Sequence, residues 1–345
     1  MTNRGKSDRM KDKERKTEVA DELNLIKTNE VLSITVPTPF AVGPVNCFVI
    51  KGEAITLVDT GPRTPEAKEA LITQLQNNGL TLEDIDQVVL THHHPDHIGF
   101  VGMLMEQGKR VLGHWKNDRW LQMSDSFLKE HEAFMTGIYR DADVSEHYYN
   151  HVQDTRGYLA FADRAKCDVH LSEGDEIPGC PGWSVMETPG HAQSHISLLH
   201  EQSRTLIAGD HLIKKISSNP LLEPPYVKGT ERPKPLLQQR HSYQKTLDAH
   251  LSYVYTGHGE PILNPDELIR ERFLKQEERS DKVASFLKNE QLTAFQVCQK
   301  LFPGVYKKQI GLTLSETIGH LDYLESENVV NKMKSEEKTF YTYRT

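Results

Sequence analysis

The chain is 345 residues long and 37% hydrophobic, with 49 Asp and Glu against 41 Lys and Arg and a formal net charge of −8. That length allows one large domain with an addition, or two domains, and is enough to bury a substantial core. The negative balance argues against a general binder of polyanions, and no apolar run approaches the roughly 18 residues a membrane span needs.

Residues 1–18 are rich in Lys and Arg and almost free of apolar side chains. They lack the h-region of a secretory signal, so residues 1–20 are expected to form a disordered tail. Val31 to Val36 then alternates apolar and polar residues as a strand does. Asn46–Ile50 and Ala54–Val58 flank Lys51-Gly52-Glu53, a hairpin signal. Thr64-Pro65-Glu66 opens a helix running to Gln76.

Gln87-Val88-Val89-Leu90 is an apolar strand, and it leads directly into Thr91-His92-His93-His94-Pro95-Asp96-His97. Neutral imidazole is a common ligand of first-row metals, and a carboxylate adds charge to hold a dication. In extended backbone His92 and His94 project together while His93 points away. Asp96 and His97 follow a proline and start a new direction, so one pair can clasp one metal and the next pair a second beside it.

Three later strand ends present the same kind of side chain. Trp183–Glu187 leads to Thr188-Pro189-Gly190-His191, Leu206-Ile207-Ala208 to Gly209-Asp210, and Tyr253-Val254-Tyr255 to Thr256-Gly257-His258-Gly259. Glycine at such places lets the backbone turn and come close to a metal. Between His97 and His191, residues 114–165 read as a helical, aromatic insertion that includes Trp115, Trp120, Tyr139 and Tyr158. It is expected to cap the metal cleft, because segments grafted on a rigid scaffold commonly carry substrate selection. An irregular, proline-rich stretch from Ile213 to Leu237 brings Lys214, Lys215, Tyr226, Lys228, Arg232 and Lys234. Basic side chains there suit a carboxylate or phosphate.

Taken together, the His-x-His-x-Asp-His run followed by His, Asp and His resembles the metallo-β-lactamase-fold hydrolases over roughly residues 25–265. The resemblance implies a four-layer αββα sandwich of class α/β (α+β). It also implies two zinc ions, with manganese or iron as substitutes. Position by position, it assigns His92, His94 and His191 to the first metal and Asp96, His97 and His258 to the second. Asp210 would bridge them, and Asp96 and Asp210 would take part in catalysis. Asp59, in Leu57-Val58-Asp59-Thr60-Gly61, matches an aspartate that orients a ligand histidine, and His195 is expected to hydrogen-bond the site. Asp210 stands where secreted β-lactamases of the main subclass carry cysteine. His94 stands where the di-iron reductases of this fold carry glutamate. The full set is closer to the glyoxalase-II, lactonase and nuclease branches.

The catalytic domain is expected to span 21–265 and a winged-helix-like domain 266–345. The latter is read from helices at Asp266–Leu287, Thr293–Phe302 and Leu314–Glu325 and a hairpin turning near Ser335–Lys338. Thr313–Glu327 holds Glu316, Asp322, Glu325 and Glu327 but no Lys or Arg, which excludes a DNA reader. Packing against the catalytic domain or forming a homodimer is the expected role. Cys47, Cys167, Cys180 and Cys298 show no disulfide framework or CxxC pair, which fits a cytoplasmic enzyme. The expected reaction is hydrolysis of an ester, thioester, lactone or related bond in a small molecule. Cleavage of single-stranded RNA at the same site, or an iron-dependent persulfide-type dioxygenase, are the alternatives the resemblance leaves open.

Overall fold

A computed structural model describes residues 31–345; the tail expected over residues 1–20 lies outside them. Six strands form the first sheet in chain order, β1 (Val31–Val36), β2 (Val45–Lys51), β3 (Ile55–Val58), β4 (Gln87–Leu90), β5 (Arg110–Gly113) and β6 (Val169–His170). From β1 to β3 the pairing is antiparallel, and from β3 to β6 it is parallel. The second sheet runs β7 (Trp183–Glu187), β8 (Ile196–His200), β9 (Thr205–Ile207) and β10 (Tyr253–Tyr255). Its first two pairings are antiparallel and its last is parallel.

Side-chain alternation sorts these strands into layers. Cys47 and Val49 of β2 and Val88 and Leu90 of β4 face the helices α1 (Pro65–Asn77), α2 (Pro95–Ile98), α3 (Val101–Glu106) and α4 (Asn117–Gln122). Phe48, Ile50 and Val89, one residue out of phase, meet Trp183, Val185, Ile196, Leu198 and Ile207 between the sheets. Each such side chain contributes roughly 1.5–3 kcal/mol on burial. A one-residue slip would exchange both faces at once, so the register is strongly set. The helices α5 (Asp125–Asp141) and α6 (Asn150–Leu159) make up most of the insertion. The far face of the second sheet is covered by α7 (Pro235–Asp248) and α8 (Pro265–Leu287), whose Tyr243, Leu247 and Ile269 pack on Leu206 and Val254. The result is the four-layer α/β sandwich.

Helix α7 was not foreseen. The prolines that made residues 213–237 read as irregular include Pro235, which sits at the helix start, where its missing N–H costs nothing. Past α8 come β11 (Leu292–Thr293), α9 (Ala294–Leu301), α10 (Ile310–Ser326), β12 (Val330–Ser335) and β13 (Lys338–Tyr343). Thr293 caps α9 in a reciprocal box with Gln296. The core of this segment, with Leu287, Val297, Leu314 and Leu321, also takes in Tyr139, Ala142 and Val144 of the insertion. Residues 114–165 therefore divide their packing between the sandwich and the C-terminal segment. Among the described residues no helix is long and apolar enough to cross a membrane.

Candidate metal centre

Five strands deliver the chemistry from their carboxyl ends. Asp59 follows β3, His92 to His97 follow β4, His191 follows β7, Asp210 follows β9 and His258 follows β10. The two sheets are laced together at this end by Asn46 N donating to Gly257 O (2.7 Å) and by a bridge between Val45 and His258. Glycine is required at 257, where a Cβ would lie 2.3 Å from Asp210 Oδ1.

All seven expected ligands come together. In an outer group, His94 Nδ1 lies 3.0 Å from His92 Nε2 and 2.9 Å from His191 Nε2. In an inner group, His258 Nε2 is 3.3 Å from Asp96 Oδ2, and His97 Nε2 is 4.0 Å from Asp96 Oδ1. Asp210 stands between the groups. Its Oδ1 is 3.4 Å from His97 Nε2 and 3.5 Å from His258 Nε2, and its Oδ2 is 3.5 Å from His191 Nε2. Each group's donor atoms fit around a single ion. The inner residues are buried, whereas His94 and His191 are partly exposed, so the site opens on the outer side.

Hydrogen bonding on the far side of the rings decides whether a cation fits. His97 Nδ1 donates to Asp59 Oδ2 (2.8 Å), His258 Nδ1 to Pro44 O (2.8 Å) and His191 Nδ1 to Asn219 O (3.0 Å). The Thr91 hydroxyl must donate to Asp59 Oδ2 (2.8 Å), which leaves it to accept from His92 Nδ1 (3.0 Å). In their neutral forms all four rings therefore aim a bare Nε2 at the centre. Among the described residues, His97 Nε2, His258 Nε2 and Asp210 Oδ1 are buried with no hydrogen-bond partner. Convergent lone pairs and carboxylates repel one another unless a cation lies between them, so the donor set fits metal ions.

In the metal-free protein, protons take the place of that cation in the inner group. Although burial opposes it, Asp210, Asp59 and Asp96 hold His97 well above the usual imidazole range, and Asp210 lifts His258 to about 10. Burial likewise opposes the charge on Asp210, yet His258 and His97 keep its carboxyl well below the carboxylate range. In the outer group, burial and then neighbouring imidazoles push His92 and His94 well down.

A model of the metallo-beta-lactamase superfamily matches residues 41–258. A Bacillus subtilis protein named as a probable metallo-hydrolase, YqjP, is 42% identical over 303 residues, 88% of this chain and 94% of its own length. The chain belongs to the metallo-beta-lactamase superfamily. A crystal structure of a metallo-beta-lactamase family protein from Thermus thermophilus, TTHA1429, superposes with a TM-score of 0.75 at 27% identity, covering 91% of this chain and 98% of that one. A beta-lactamase domain protein from Burkholderia ambifaria gives a TM-score of 0.72 at 20% identity over 91% and 92% of the two chains.

Within this superfamily frame, Asp59 does more than touch one ligand. It accepts from the amide and hydroxyl of Thr91 as well as from His97, and through Thr91 it reaches His92. His195 is buried, accepts from Asp210 N (3.1 Å) and stacks on the His92 ring at 4.9 Å between centroids. His93 turns away and stacks on Trp120 at 4.2 Å. From the insertion, Tyr158 leans on Phe40 (4.6 Å), and burial followed by Asp96 and Asp210 raises its phenol well above the ordinary range. Its side chain remains partly exposed. The basic residues between Ile213 and Leu237 are largely committed elsewhere: Lys214 pairs with Glu260, Arg232 with Asp322 and Lys234 with Glu325. Sequence reasoning missed Thr91, which its place directly before the motif gives away. It also missed Pro44 and Asn219, which act through backbone carbonyls and leave no side-chain signal.

Proposed function

We propose that this chain is a dinuclear metal-dependent hydrolase, with zinc the native ion, acting on an ester, thioester, lactone or related bond of a small molecule. The observation that carries the reading is Asp210, whose two oxygens face the two donor groups separately. Dications held there supply Lewis acidity and make water a nucleophile at neutral pH. The chain's own part is orientation. Asp59 fixes the rings of His97 and His92, and His195 holds the Asp210 backbone. Burial of the inner group excludes bulk water, which strengthens each polar contact inside. The four cysteines are free and buried, which supports a cytoplasmic setting.

We read the C-terminal segment as a winged-helix-like unit used for packing. Glu316 and Asp322 of its α10 are taken up by Arg279 and Arg232 rather than presented to a ligand. Both carboxylates are buried, and α10 carries no Lys or Arg to neutralise a phosphate, which favours the small-molecule reading over RNA.

The test is metal analysis of the purified protein together with a panel of thioesters, lactones and phosphodiesters, including labelled single-stranded RNA. The expected result is about two zinc per chain and turnover of a carbonyl substrate. In Asp210→Ala that turnover falls by more than the ~100-fold that losing a ligand's supporting partner can cost, while the fold persists. One iron per chain, or cleavage of RNA alone, would replace this reading.

A further inference from the structure

The outer donor group rests on a segment that has no regular structure of its own. Residues 211–234 form neither helix nor strand. Yet this stretch orients His191, through the Asn219 carbonyl at 3.0 Å, and holds the following turn, through Glu223 Oε1 accepting from Gln193 N at 2.7 Å. Backbone without a ladder must find its partners elsewhere, and here they come from α10 of the C-terminal segment and from α8 and α7.

Ser315 of α10 sits at the centre of that fastening. Its hydroxyl donates to Pro220 O (2.6 Å) and accepts from Leu222 N (2.8 Å). Leu312 O of the same helix accepts from Asn219 Nδ2 (3.2 Å), and the Leu222 side chain is buried in the C-terminal core. Upstream, the buried guanidinium of Arg272 on α8 donates from one nitrogen to three carbonyls, those of Ile213 (3.1 Å), Lys214 (3.0 Å) and Ile216 (3.2 Å). Gln276 of α8 steadies Gln239, which donates to Ser218 O (2.9 Å). The inner rings have no such dependence: His97 and His258 are held by Asp59 and by Pro44 O, both in the first sheet's layer.

We infer that α8 and the C-terminal segment packed on it govern metal occupancy of the outer position, with Ser315 and Arg272 as positioning residues that act on His191 through residues 213–223. The inference rests on the reading of His92, His94 and His191 as ligands. It assigns the unit a role in the metal centre itself, beyond packing. A ligand must be held in direction as well as distance, and a carbonyl free to swing loses the ring it orients.

The test uses the full chain loaded with Zn²⁺ alone and follows metal loss to a chelator, with thermal unfolding measured in parallel. Ser315→Ala and Arg272→Met should each shed one of the two ions faster by about three- to tenfold, less than the ~10–100-fold expected for a partner bonded directly to a ligand. Ser315→Thr, which keeps the hydroxyl, should restore retention. Asp322→Asn weakens the same docking through Arg232 without touching residues 213–223. It should lower the melting temperature and leave metal retention unchanged. The inference is overturned if Ser315→Ala and Arg272→Met hold both ions as the wild type does, or if all three variants lose metal in proportion to lost stability. His191→Ala separates the two levels: should it retain metal as firmly as the wild type, the ligand assignment itself fails.

Discussion

The three donors of the outer position are all imidazoles, whereas the inner position sets Asp96 and Asp210 beside His97 and His258. The difference changes what each position does when metal-free. Burial and mutual repulsion push His92 and His94 down, so the outer position offers neutral imidazoles with the shared Asp210 as its one carboxylate. Carboxylates instead draw protons onto His97 and His258, so the inner position holds charge whether or not an ion is there. The supports differ in the same way. The inner rings lean on the sandwich, while the outer ring of His191 leans on a loop fastened from outside it. A cation competes with protons for the inner position and with chain entropy for the outer one.

The largest break in that contrast should come from Asp59→Asn. An amide turned toward His97 Nδ1 can present a donor to a donor, which forces the ring to put its proton on Nε2, facing the centre. Inner-position affinity should fall by about 10–100-fold, as for other supporting partners of ligand histidines. The outer position should suffer less, because Asp59 reaches His92 only through Thr91. Chelator competition resolves the two, and equal weakening of both would erase the distinction.

Proton release sharpens the comparison more gently. His97 is raised well above the ordinary range and His258 lies at about 10, so both carry protons at neutral pH in the metal-free protein. Metal must displace them, and inner-position affinity should rise by about tenfold per pH unit for each proton displaced, until pH passes the raised values. The outer imidazoles have already lost theirs, so affinity there should be nearly flat above pH ~6.5, the ordinary histidine value. Zinc titration in weak buffer with an indicator dye measures this directly. Equal proton release at both positions would contradict the electrostatic contrast.

What the sequence disclosed follows the same division. Ligands at strand ends are local features: a continuous apolar run, a glycine and a His or Asp together announce themselves, as at Leu206–Asp210 and Tyr253–His258. The Thr293 capping box is equally local. The supports of the outer position are not. Asn219 and Pro44 act through carbonyls that every residue possesses, and Ser315 meets Pro220 across 95 positions. Helix α7 hid behind prolines that a reading by composition assigns to loop. Residues 114–165 looked like a cap, but Tyr139, Ala142 and Val144 are apolar in a way that does not say which core receives them.

The smallest expected effect concerns Glu223, a buried carboxylate behind the outer group that is not itself one of the expected ligands. It is buried, accepts from Gln193 N and the Tyr226 hydroxyl at 2.7 Å each, and stands 3.9 Å from His93 Nε2. Burial, only partly offset by these bonds, lifts its carboxyl to about 7. An unfolded glutamate loses its proton near pH ~4.3 while the folded one keeps it until about 7, so its contribution to stability declines as pH rises through that window. The total is at most about 4 kcal/mol at 1.36 kcal/mol per pKa unit. A glutamine side chain at this position cannot ionise but matches the protonated carboxyl in shape and hydrogen bonding. In metal-free protein, the melting-temperature difference between Glu223→Gln and wild type should therefore shift in the variant's favour from pH 5 to pH 8. A difference independent of pH would mean that Glu223 is ionised throughout. It would then serve as a standing counter-charge to the outer position, and the two positions would be alike in charge after all.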